Sequence, residues 1–342
     1  MTSILAFGAV FLTLVLFHEL GHFLVAKSVG VAVYEFSIGF GPAVGRFRRG
    51  LTTYSLRAFP LGGFVRLAGM ESTAEERRPS QERLAPDDPR RFNNRPLWQR
   101  TLTIVAGPAM NFLLAAFLFA LLYVPPVVGE VEPASPAAIA GVVPGDRVVR
   151  IEGMRTPTAA RVLRAVHAAS PGDVLLVEVL RDGRVLRFSI QTAEHPRGPV
   201  AYIGVRWKGR PGALEALYGG LVEMLDSTGE IVRAVGRMLL GREAISVAGP
   251  AGIFTMVAEA ADRGLLTLIG VAAVLNLNLG LINLLPLPVL DGGWLLFLGL
   301  EWLRRRPLEP QLQTLAQMLG LMILITLMLI ATYFDLKRLG AG

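Results

Sequence analysis

Four stretches of the chain contain at most one charged side chain, and each is long enough to cross a lipid bilayer. Residues 1–17, 101–128 and 264–290 contain no Asp, Glu, Lys or Arg, and residues 308–334 contain only Glu309. A transmembrane helix needs about 20 predominantly apolar residues. The first stretch is the shortest, but apolar residues also dominate the positions just after it, which lengthens the apolar segment. The pattern therefore predicts four membrane spans.

The first and third spans each have a distinguishing feature. The first has neither a basic N-terminal region nor a small-residue cleavage site, so we expect a retained span rather than a signal peptide. The third contains Pro286 and Pro288, which must break its helix. Broken backbone at membrane depth is tolerated only where protein or a water-filled cavity satisfies its polar groups.

The loop between the first two spans has two strand-like segments. Residues 32–40 and 52–66 alternate in character and contain glycines. They predict strands that associate with the membrane or, alternatively, a cytosolic hairpin beneath the spans. Residues 71–97 are rich in Arg, Glu, Pro and Asp, which is typical of a solvated loop.

The segment between the second and third spans has the pattern of a small soluble domain. Runs of β-branched residues follow Asp146 and Asp173, and a turn at 181–184 indicates a hairpin. A helix is predicted at about 159–169, so the fold is α+β. From about 213 to 240, apolar residues at helical spacing predict one or two amphipathic helices, on the outer membrane surface or packed against the domain.

Composition and charge support a membrane protein with a defined orientation. The chain is 52% hydrophobic and 18% charged, with a mean hydropathy of +0.50, against about 25% charged residues in ordinary soluble domains. Of the Lys and Arg residues, 13 lie within 27–100, and three more lie at 304–306. The positive-inside rule assigns these links to the cytoplasm, so both termini and residues 129–262 are expected outside. The net charge of +7 then marks loops beside an anionic membrane rather than a nucleic-acid partner.

Two of the four histidines form a candidate zinc site. The chain has no cysteine, which excludes disulfides, thiolate zinc sites, iron–sulfur clusters and cysteine nucleophiles. His18 and His22 lie one helical turn apart, where both imidazoles bind one zinc ion. Glu19 is suited to accept a proton from the attacking water. The alternative is a pair of core histidines, but ionisable groups within a membrane span are functional by default.

The third zinc ligand must be His, Asp or Glu, because catalytic zinc takes three protein ligands and cysteine is absent. His167 and His195 lie in the outer segment, on the wrong side of the membrane. Asp291 follows the break in the third span, and it is the carboxylate that interrupts this long apolar stretch. Its alternative role is to cap the helix that follows.

These motifs resemble the site-2 proteases, a family of intramembrane zinc proteases, and in particular the bacterial regulator of sigma-E protease type. The resemblance rests on the His-Glu-Leu-Gly-His sequence from His18 and on the Asn-x-x-Pro-x-Pro-x-Leu-Asp-Gly-Gly sequence from Asn283. It spans nearly the whole chain in order. Further matches begin at Gly39, Gly62, Gly107 and Ser246.

The resemblance implies an activity and a set of site residues. His18, His22 and Asp291 are the implied Zn²⁺ ligands, and Glu19 is the implied catalytic base. The implied reaction is peptide hydrolysis within transmembrane helices of single-span proteins in the bacterial inner membrane, such as anti-sigma factors or remnant signal peptides, after trimming by another protease. The candidate substrate-binding residues are Asn278, Asn283, Pro286, Pro288, Gly62 and Gly63.

The soluble segment from Val128 resembles the PDZ domains of bacterial proteases. Such domains bind an extended peptide or a peptide C-terminus at a sheet edge; the alternative is a rigid spacer. Residues 128–195 have room for one such domain, whereas the enterobacterial form carries two.

We therefore expect a polytopic α-helical membrane protein with four transmembrane helices, a membrane-associated β-hairpin region and one inserted extracytoplasmic α+β PDZ domain. The expected organisation is a first span with the zinc motif (1–26), a cytoplasmic loop (27–100) with strands at about 32–66, a second span (101–125), the PDZ domain (126–196), an extracytoplasmic linker with an amphipathic helix (197–262), a broken third span (263–303) and a fourth span (308–336).

Three other functions are compatible with parts of the pattern. A non-catalytic PDZ-bearing scaffold would not need the intact set of His18, Glu19, His22 and Asp291. An ion transporter would not need Glu19 between the histidines. A membrane-anchored zinc protease for soluble loops would hold its zinc outside the bilayer, whereas the apolar run over residues 10–17 puts His18 inside the first span.

Overall fold

The computed structural model describes residues 2–70, 84–196, 198–209, 211–242 and 249–339. Much of the predicted solvated loop and the start of the Ser246 motif lie outside these residues. The described helices are α1 (Thr2–Ser28), α2 (Leu97–Leu122), α3 (Pro136–Ala140), α4 (Ala159–His167), α5 (Ala213–Leu239), α6 (Pro250–Asp262), α7 (Leu265–Asn283), α8 (Asp291–Arg304) and α9 (Pro310–Leu339).

The described strands are β1 (Val33–Arg49), β2 (Thr52–Leu67), β3 (Val128–Val131), β4 (Arg147–Ile151), β5 (Met154–Arg155), β6 (Val174–Arg181), β7 (Arg184–Gln191), β8 (Ala193–His195), β9 (Gly198–Tyr202) and β10 (Val205–Trp207). The chain divides into two compact units. One consists of residues 1–115 and 232–342, and the other is Ala116–Ile231.

Four of the described helices are long and apolar enough to cross a membrane, and they coincide with the four stretches predicted as spans. They are α1, α2, α7 and α9. In the larger unit, Val10 and Leu14 of α1 pack with Val257 of α6 and with apolar side chains of α7. The backbones of α1 and α2 come close at Gly21, where a Cβ would overlap the carbonyl of Ala106. Small residues allow such close approach between membrane helices.

The third apolar stretch is broken, as its prolines predict. Helix α7 ends at Asn283 and α8 begins at Asp291. The loop between them folds back tightly on the start of α8, because a Cβ on Gly292 or Gly293 would overlap carbonyl groups of the loop. Glycine is therefore required at both positions, and the first turn of α8 is held directly against the loop.

The last helix contacts other described residues of this unit near its middle and near its end. Near its middle, a Cβ on Gly320 would lie 3.1 Å from the ring of Pro288, in the loop after α7. Near its end, the buried carboxylate of Asp335 accepts a hydrogen bond of 2.8 Å from the Gly252 amide. That amide is in the first turn of α6, whose N-cap, Gly249, makes no side-chain cap. Asp335 thus satisfies a helix donor that would otherwise be unpaired.

Strands β1 and β2 are long and bent, and each doubles back along the other. Glu35 is paired with both Arg66 and Thr53, and Ile38 with both Gly63 and Leu56. The first half of β1 therefore runs between the two halves of β2. In the described part of the chain, the segment at 63–67 is paired along one side only, and it forms an edge of this sheet.

The smaller unit contains the predicted α+β domain, together with the end of α2 and most of α5. A four-stranded sheet has the order β5-β4-β6-β7, and β10 pairs with β3. The β6–β7 turn has positive φ at Asp182 (49°) and Gly183 (76°), which confirms the predicted hairpin with a primed turn. Ala201 and Ile203 are buried in the domain core. The folded domain thus extends to Trp207, beyond the end at residue 196 that the sequence pattern suggests.

The amphipathic segment forms one continuous helix, α5. Its Glu223 accepts hydrogen bonds from Thr158, Arg161 and Arg164 of the soluble domain. Apolar side chains on other positions of α5, among them Leu214 and Tyr218, are exposed. The charged face of this part of the helix therefore packs on the domain, while apolar side chains remain uncovered.

A buried carboxylate organises the start of β4. Asp146 is fully buried and accepts hydrogen bonds from Arg181 and from the Val143 amide. Burial alone would raise the pKa of Asp146, but these hydrogen bonds and the charge of Arg181 outweigh it, so the pKa is below its ordinary value. Such a group stabilises the fold above its unfolded pKa, and that stability is lost as the pH falls through the folded value.

Replacement of this carboxylate is expected to destabilise the soluble domain. Asp146→Asn keeps the shape but loses the charge-assisted bonds, so the local free energy of opening should fall by about 1–3 kcal/mol. Hydrogen exchange of the 143–148 amides in the full-length protein at pH 7 measures this. Arg206→Gln is the control, because it removes an exposed ion pair with Glu130 that should contribute little. Equal protection in both variants would contradict the assignment.

Candidate metal centre

Two imidazoles project from one face of α1 into the interior of the larger unit. His18 and His22 are each 8% exposed. Their ring centroids are 4.8 Å apart, and their Nε2 atoms are 3.2 Å apart. The i, i+4 spacing brings the rings onto one face, so the predicted pair is in place.

The predicted third group meets them from the start of α8. Asp291 Oδ2 lies 3.2 Å from His18 Nε2 and 3.3 Å from His22 Nε2. The N-cap of α8 is Leu290, and no side chain caps it. Asp291 is therefore the first helical residue rather than the cap, and its carboxylate points to the histidines.

The three atoms fit a tetrahedral zinc ion. Zinc bonds of about 2.0–2.1 Å at tetrahedral angles separate neighbouring ligand atoms by about 3.3–3.4 Å. The observed separations are 3.2–3.3 Å. Asp291 Oδ2 is moreover a buried oxygen without a hydrogen-bond partner among the described residues. A cation supplies the partner that this oxygen lacks, and with three protein ligands one coordination position stays open for water or substrate.

The outer ring nitrogens of both histidines are held by groups of neighbouring helices. His22 Nδ1 is 2.8 Å from the carbonyl oxygen of Thr103 in α2, so Nδ1 carries the proton and Nε2 has a free lone pair. His18 Nδ1 lies 3.2 Å from the side-chain amide of Asn111, whose oxygen has no partner in the described structure. With the amide turned by 180°, that oxygen accepts the His18 Nδ1 proton, which satisfies both groups. Outer hydrogen bonds of this kind orient metal-binding histidines.

Glycines make room for this arrangement. A Cβ on Gly107 of α2 would overlap the imidazole of His22, and a Cβ on Gly280 of α7 would lie 3.2 Å from Asn111 Cβ. The buried side-chain amide of Asn276 donates to the Asn111 carbonyl across 2.6 Å. Helices α1, α2 and α7 are therefore packed to backbone contact around the histidines.

Glu19 and the edge of the sheet face the same cavity. This cavity has a volume of about 380 Å³ and is lined by His18, Glu19, His22 and Asp291 together with Phe64, Val65 and Leu67. The backbone of Val65 also faces the Glu19 carboxylate. A Cβ on Gly63 would lie 3.6 Å from Glu19 Cγ. The candidate base thus lies between the three-ligand cluster and the open edge of the sheet.

The other predicted substrate contacts differ in their placement. Asn283 lines the cavity, and its amide is 3.5 Å from His18 Nδ1. Pro288 lines an adjoining cavity, and Pro286 is exposed in the same loop. Asn278 is partly buried in α7 and is not among the described residues that line either cavity. Gly62 and Gly63 lie at the start of the edge segment, and Gly62 has φ of +124°.

Several residues of the site were not identified as site residues from the sequence. Thr103 acts through its backbone, which no side-chain pattern reveals. Asn111 and Asn276 are polar residues in apolar spans, and this signal is visible in the sequence. Arg100 forms a two-bond ion pair with Glu301, at 2.8 and 2.5 Å. It ties the start of α2 to α8, the helix that carries Asp291.

Known proteins are similar to this chain over nearly its full length. The model of peptidase family M50 matches residues 6–327. The zinc metalloprotease RasP of Geobacillus kaustophilus is 32% identical over 413 aligned residues, covering 98% of this chain and 98% of the relative. The regulator of sigma-W protease RasP of Bacillus subtilis is 30% identical and covers 98% of this chain and 99% of the relative.

Among solved structures, a PDZ domain of an SdrC-like protein from Listeria monocytogenes covers 25% of this chain and 88% of that domain. The sequence identity is 19% and the TM-score is 0.23.

The contact between Gly107 and His22 makes metal binding sensitive to a single methyl group. Gly107→Ala is expected to push the His22 ring away and to lower the zinc content of purified protein well below one ion per chain, because overpacking here costs about 1–3 kcal/mol. Elemental analysis after dialysis measures the zinc. Gly299→Ala in α8 is the matched control, since a Cβ there meets no atom within 4 Å. Full zinc occupancy in Gly107→Ala would show that the packing differs from that described.

Proposed function

Because the chain belongs to peptidase family M50, we propose that His18, His22 and Asp291 hold its zinc ion and that Glu19 is its general base. The protein is an intramembrane zinc metalloprotease of regulated intramembrane proteolysis, with Zn²⁺ as its cofactor. It is a multi-pass protein of the bacterial inner membrane. The triangle of ligand atoms 3.2–3.3 Å apart supports these ligands.

The proposed chemistry assigns one proton-transfer group. Zinc, when bound, polarises the scissile carbonyl and makes water a nucleophile near neutral pH. Glu19 takes the proton from the attacking water and gives it to the leaving amine. The backbone of Val65, which faces this carboxylate, orients it for both transfers. His22 and His18 keep their Nε2 atoms unprotonated, because their Nδ1 atoms are hydrogen-bonded to α2.

The substrate is proposed to bind as an added strand. A transmembrane helix hides its carbonyls in internal hydrogen bonds, so it must unwind locally before cleavage. The edge segment at 63–67 is paired on one side and lies beside Glu19, which suits an incoming strand. Gly62 and Gly63 keep this edge accessible. Asn283 contributes a hydrogen-bonding side chain to the same cavity.

The proposed topology follows the charge of the loops. The basic segments at 27–100 and 304–306 lie in the cytoplasm, and both termini lie outside. Helices α7 and α8 together form the broken third span. The soluble domain, extracytoplasmic in this topology, is proposed to be a single PDZ domain that binds a peptide or filters substrates by size. A prior cut by another protease would remove the bulky outer part of the substrate.

The proposed substrates are single-span membrane proteins that hold regulators at the membrane. The Bacillus subtilis relative is named as a regulator of sigma-W. By analogy, we propose membrane-bound anti-sigma factors as substrates of this chain.

Loss of the proposed base is expected to abolish cleavage without loss of the metal. Glu19→Gln should slow cleavage of a membrane-embedded single-span helix by about 10²–10⁴-fold, since the amide cannot take the proton. Purified enzyme reconstituted with a panel of such helices tests this, with zinc content measured in parallel. Equal cleavage by Glu19→Gln and wild type would contradict the proposed role.

Loss of the proposed third ligand is expected to weaken zinc binding itself. Loss of a group that hydrogen-bonds to a metal ligand lowers metal affinity by roughly 10–100-fold. Asp291→Ala removes a proposed ligand itself, so zinc affinity should fall by more than this. Competition with a chelator measures the affinity. Asp262→Ala is the control, because Asp262 is exposed at the end of α6. Wild-type affinity in Asp291→Ala would mean that another group completes the site.

A further inference from the structure

A second cavity adjoins the metal site on the other face of the edge segment. It has a volume of about 890 Å³, and it shares Phe64, Val65 and Trp294 with the first cavity. One wall is the sheet, with Glu35, Arg57 and Arg66, and the opposite wall is α9 from Thr314 to Leu321. A strand added at the edge would pass its side chains into this cleft.

Most of the charge in the cleft is already paired. Glu35 is buried, and its carboxylate accepts hydrogen bonds of 2.7 Å from Ser55 and from Arg57. Arg57 also donates from Nε to the Ser37 hydroxyl and from Nη1 to the Gly41 carbonyl. Glu35 and Arg57 therefore neutralise each other, and their role is to hold the strands together.

Arg66 is the cationic group that this pairing leaves in excess. Its guanidinium is 3.3 Å from Glu35 Oε2, its side chain is 44% exposed, and the Glu35 carboxylate already has two shorter partners. A guanidinium has five N–H donors, and one long contact engages few of them. Since Glu35 and Arg57 cancel, the described residues that line the cleft have a net charge of about one positive unit.

The opposite wall also provides a polar group. Gln317 lies on a membrane-spanning helix and lines the cleft, across from the sheet. Polar side chains within spans face protein interiors or functional cavities rather than lipid. The Thr314 hydroxyl, by contrast, donates to the carbonyl of Pro310 in its own helix. An arginine and an amide thus face a cleft whose other lining is mostly apolar.

From this arrangement we propose that Arg66 is a specificity-determining residue that binds a carboxylate side chain of the substrate. The inference rests on the proposed strand addition. Arg66 follows Val65, which contacts Glu19, and a strand advances about 3.3 Å per residue. The recognised Asp or Glu therefore lies within about three residues of the scissile bond. A Lys or Arg at that position is repelled by the guanidinium of Arg66.

A substrate scan tests this pairing of charges. A single-span helix carries Glu, Gln or Lys at each of the three positions on either side of the bond that is cut. At one position, wild-type enzyme is expected to cleave the Glu substrate about fivefold faster than the Gln substrate, in kcat/KM, with Lys slowest. Arg66→Gln should abolish the difference, Arg66→Lys should retain part of it, and Arg66→Glu should favour Lys.

The controls separate this inference from its premise and from loss of fold. Arg46→Gln removes an exposed cation from the far part of the same sheet and should keep the preference for Glu. Cleavage of the Gln substrate by Arg66→Gln is measured alongside, because measurable cleavage shows that this variant still folds. If wild type cleaves no membrane-embedded substrate, the proposed function fails. If it cleaves all three alike at every position, only the role of Arg66 is overturned.

A lipid phosphate is the other anion that an arginine at this depth can bind. The same assays in vesicles of phosphatidylcholine, with and without phosphatidylglycerol, distinguish the two. A preference for Glu in both vesicles supports a substrate carboxylate. If Arg66→Gln instead slows every substrate equally, and only where phosphatidylglycerol is present, Arg66 binds lipid and the inference is overturned.

Discussion

The structure of the larger unit depends on bringing two histidine nitrogens and one carboxylate oxygen within 3.3 Å of one another, inside a bundle of apolar helices. Unpaired polar groups at such a place are costly, so each of these atoms needs a partner. The surrounding features follow from this requirement. Glycines bring α2 and α7 close, the Thr103 carbonyl and the Asn111 amide fix the rings, and the ion pair between Arg100 and Glu301 anchors the helix that carries Asp291.

The broken third span and the bent sheet meet the same requirement from opposite sides. The loop between α7 and α8 turns the chain so that Asp291 begins a helix at the histidines. The edge segment at 63–67 lines the same cavity as Glu19. Catalysis in a membrane needs a cavity that admits water and an unwound substrate. The loop between α7 and α8 and the edge segment line this cavity, and the backbone hydrogen bonds within these two elements are incomplete. Regular helices alone would offer neither.

The sequence pattern allowed the main elements and the metal cluster to be predicted, for reasons that can be traced to particular residues. The sequence identified three groups that the fold brings together. It did so through the spacing of His18 and His22, the lack of cysteine and the carboxylate that comes directly after the break at Pro286 and Pro288. The register of β1 and β2 could not be predicted from the sequence. The alternation of polar and apolar residues does not reveal that the strand has a paired neighbour on both sides at Glu35. The Thr103 contact depends on a backbone carbonyl, and the soluble domain extends to Trp207 because Ala201 and Ile203 complete its core.

The order of the three ligands along the chain has a consequence for biosynthesis. His18 and His22 enter the membrane with the first helix, whereas Asp291 is made about 270 residues later. At about 5–20 residues per second, the interval is roughly 15–50 seconds. In the proposed assignment, the nascent protein during that time has Glu19 and two of the three zinc ligands, but its coordination sphere is incomplete. A membrane protease whose centre closes only with its third span is inert while it is still at the insertion machinery, where other newly made helices are exposed.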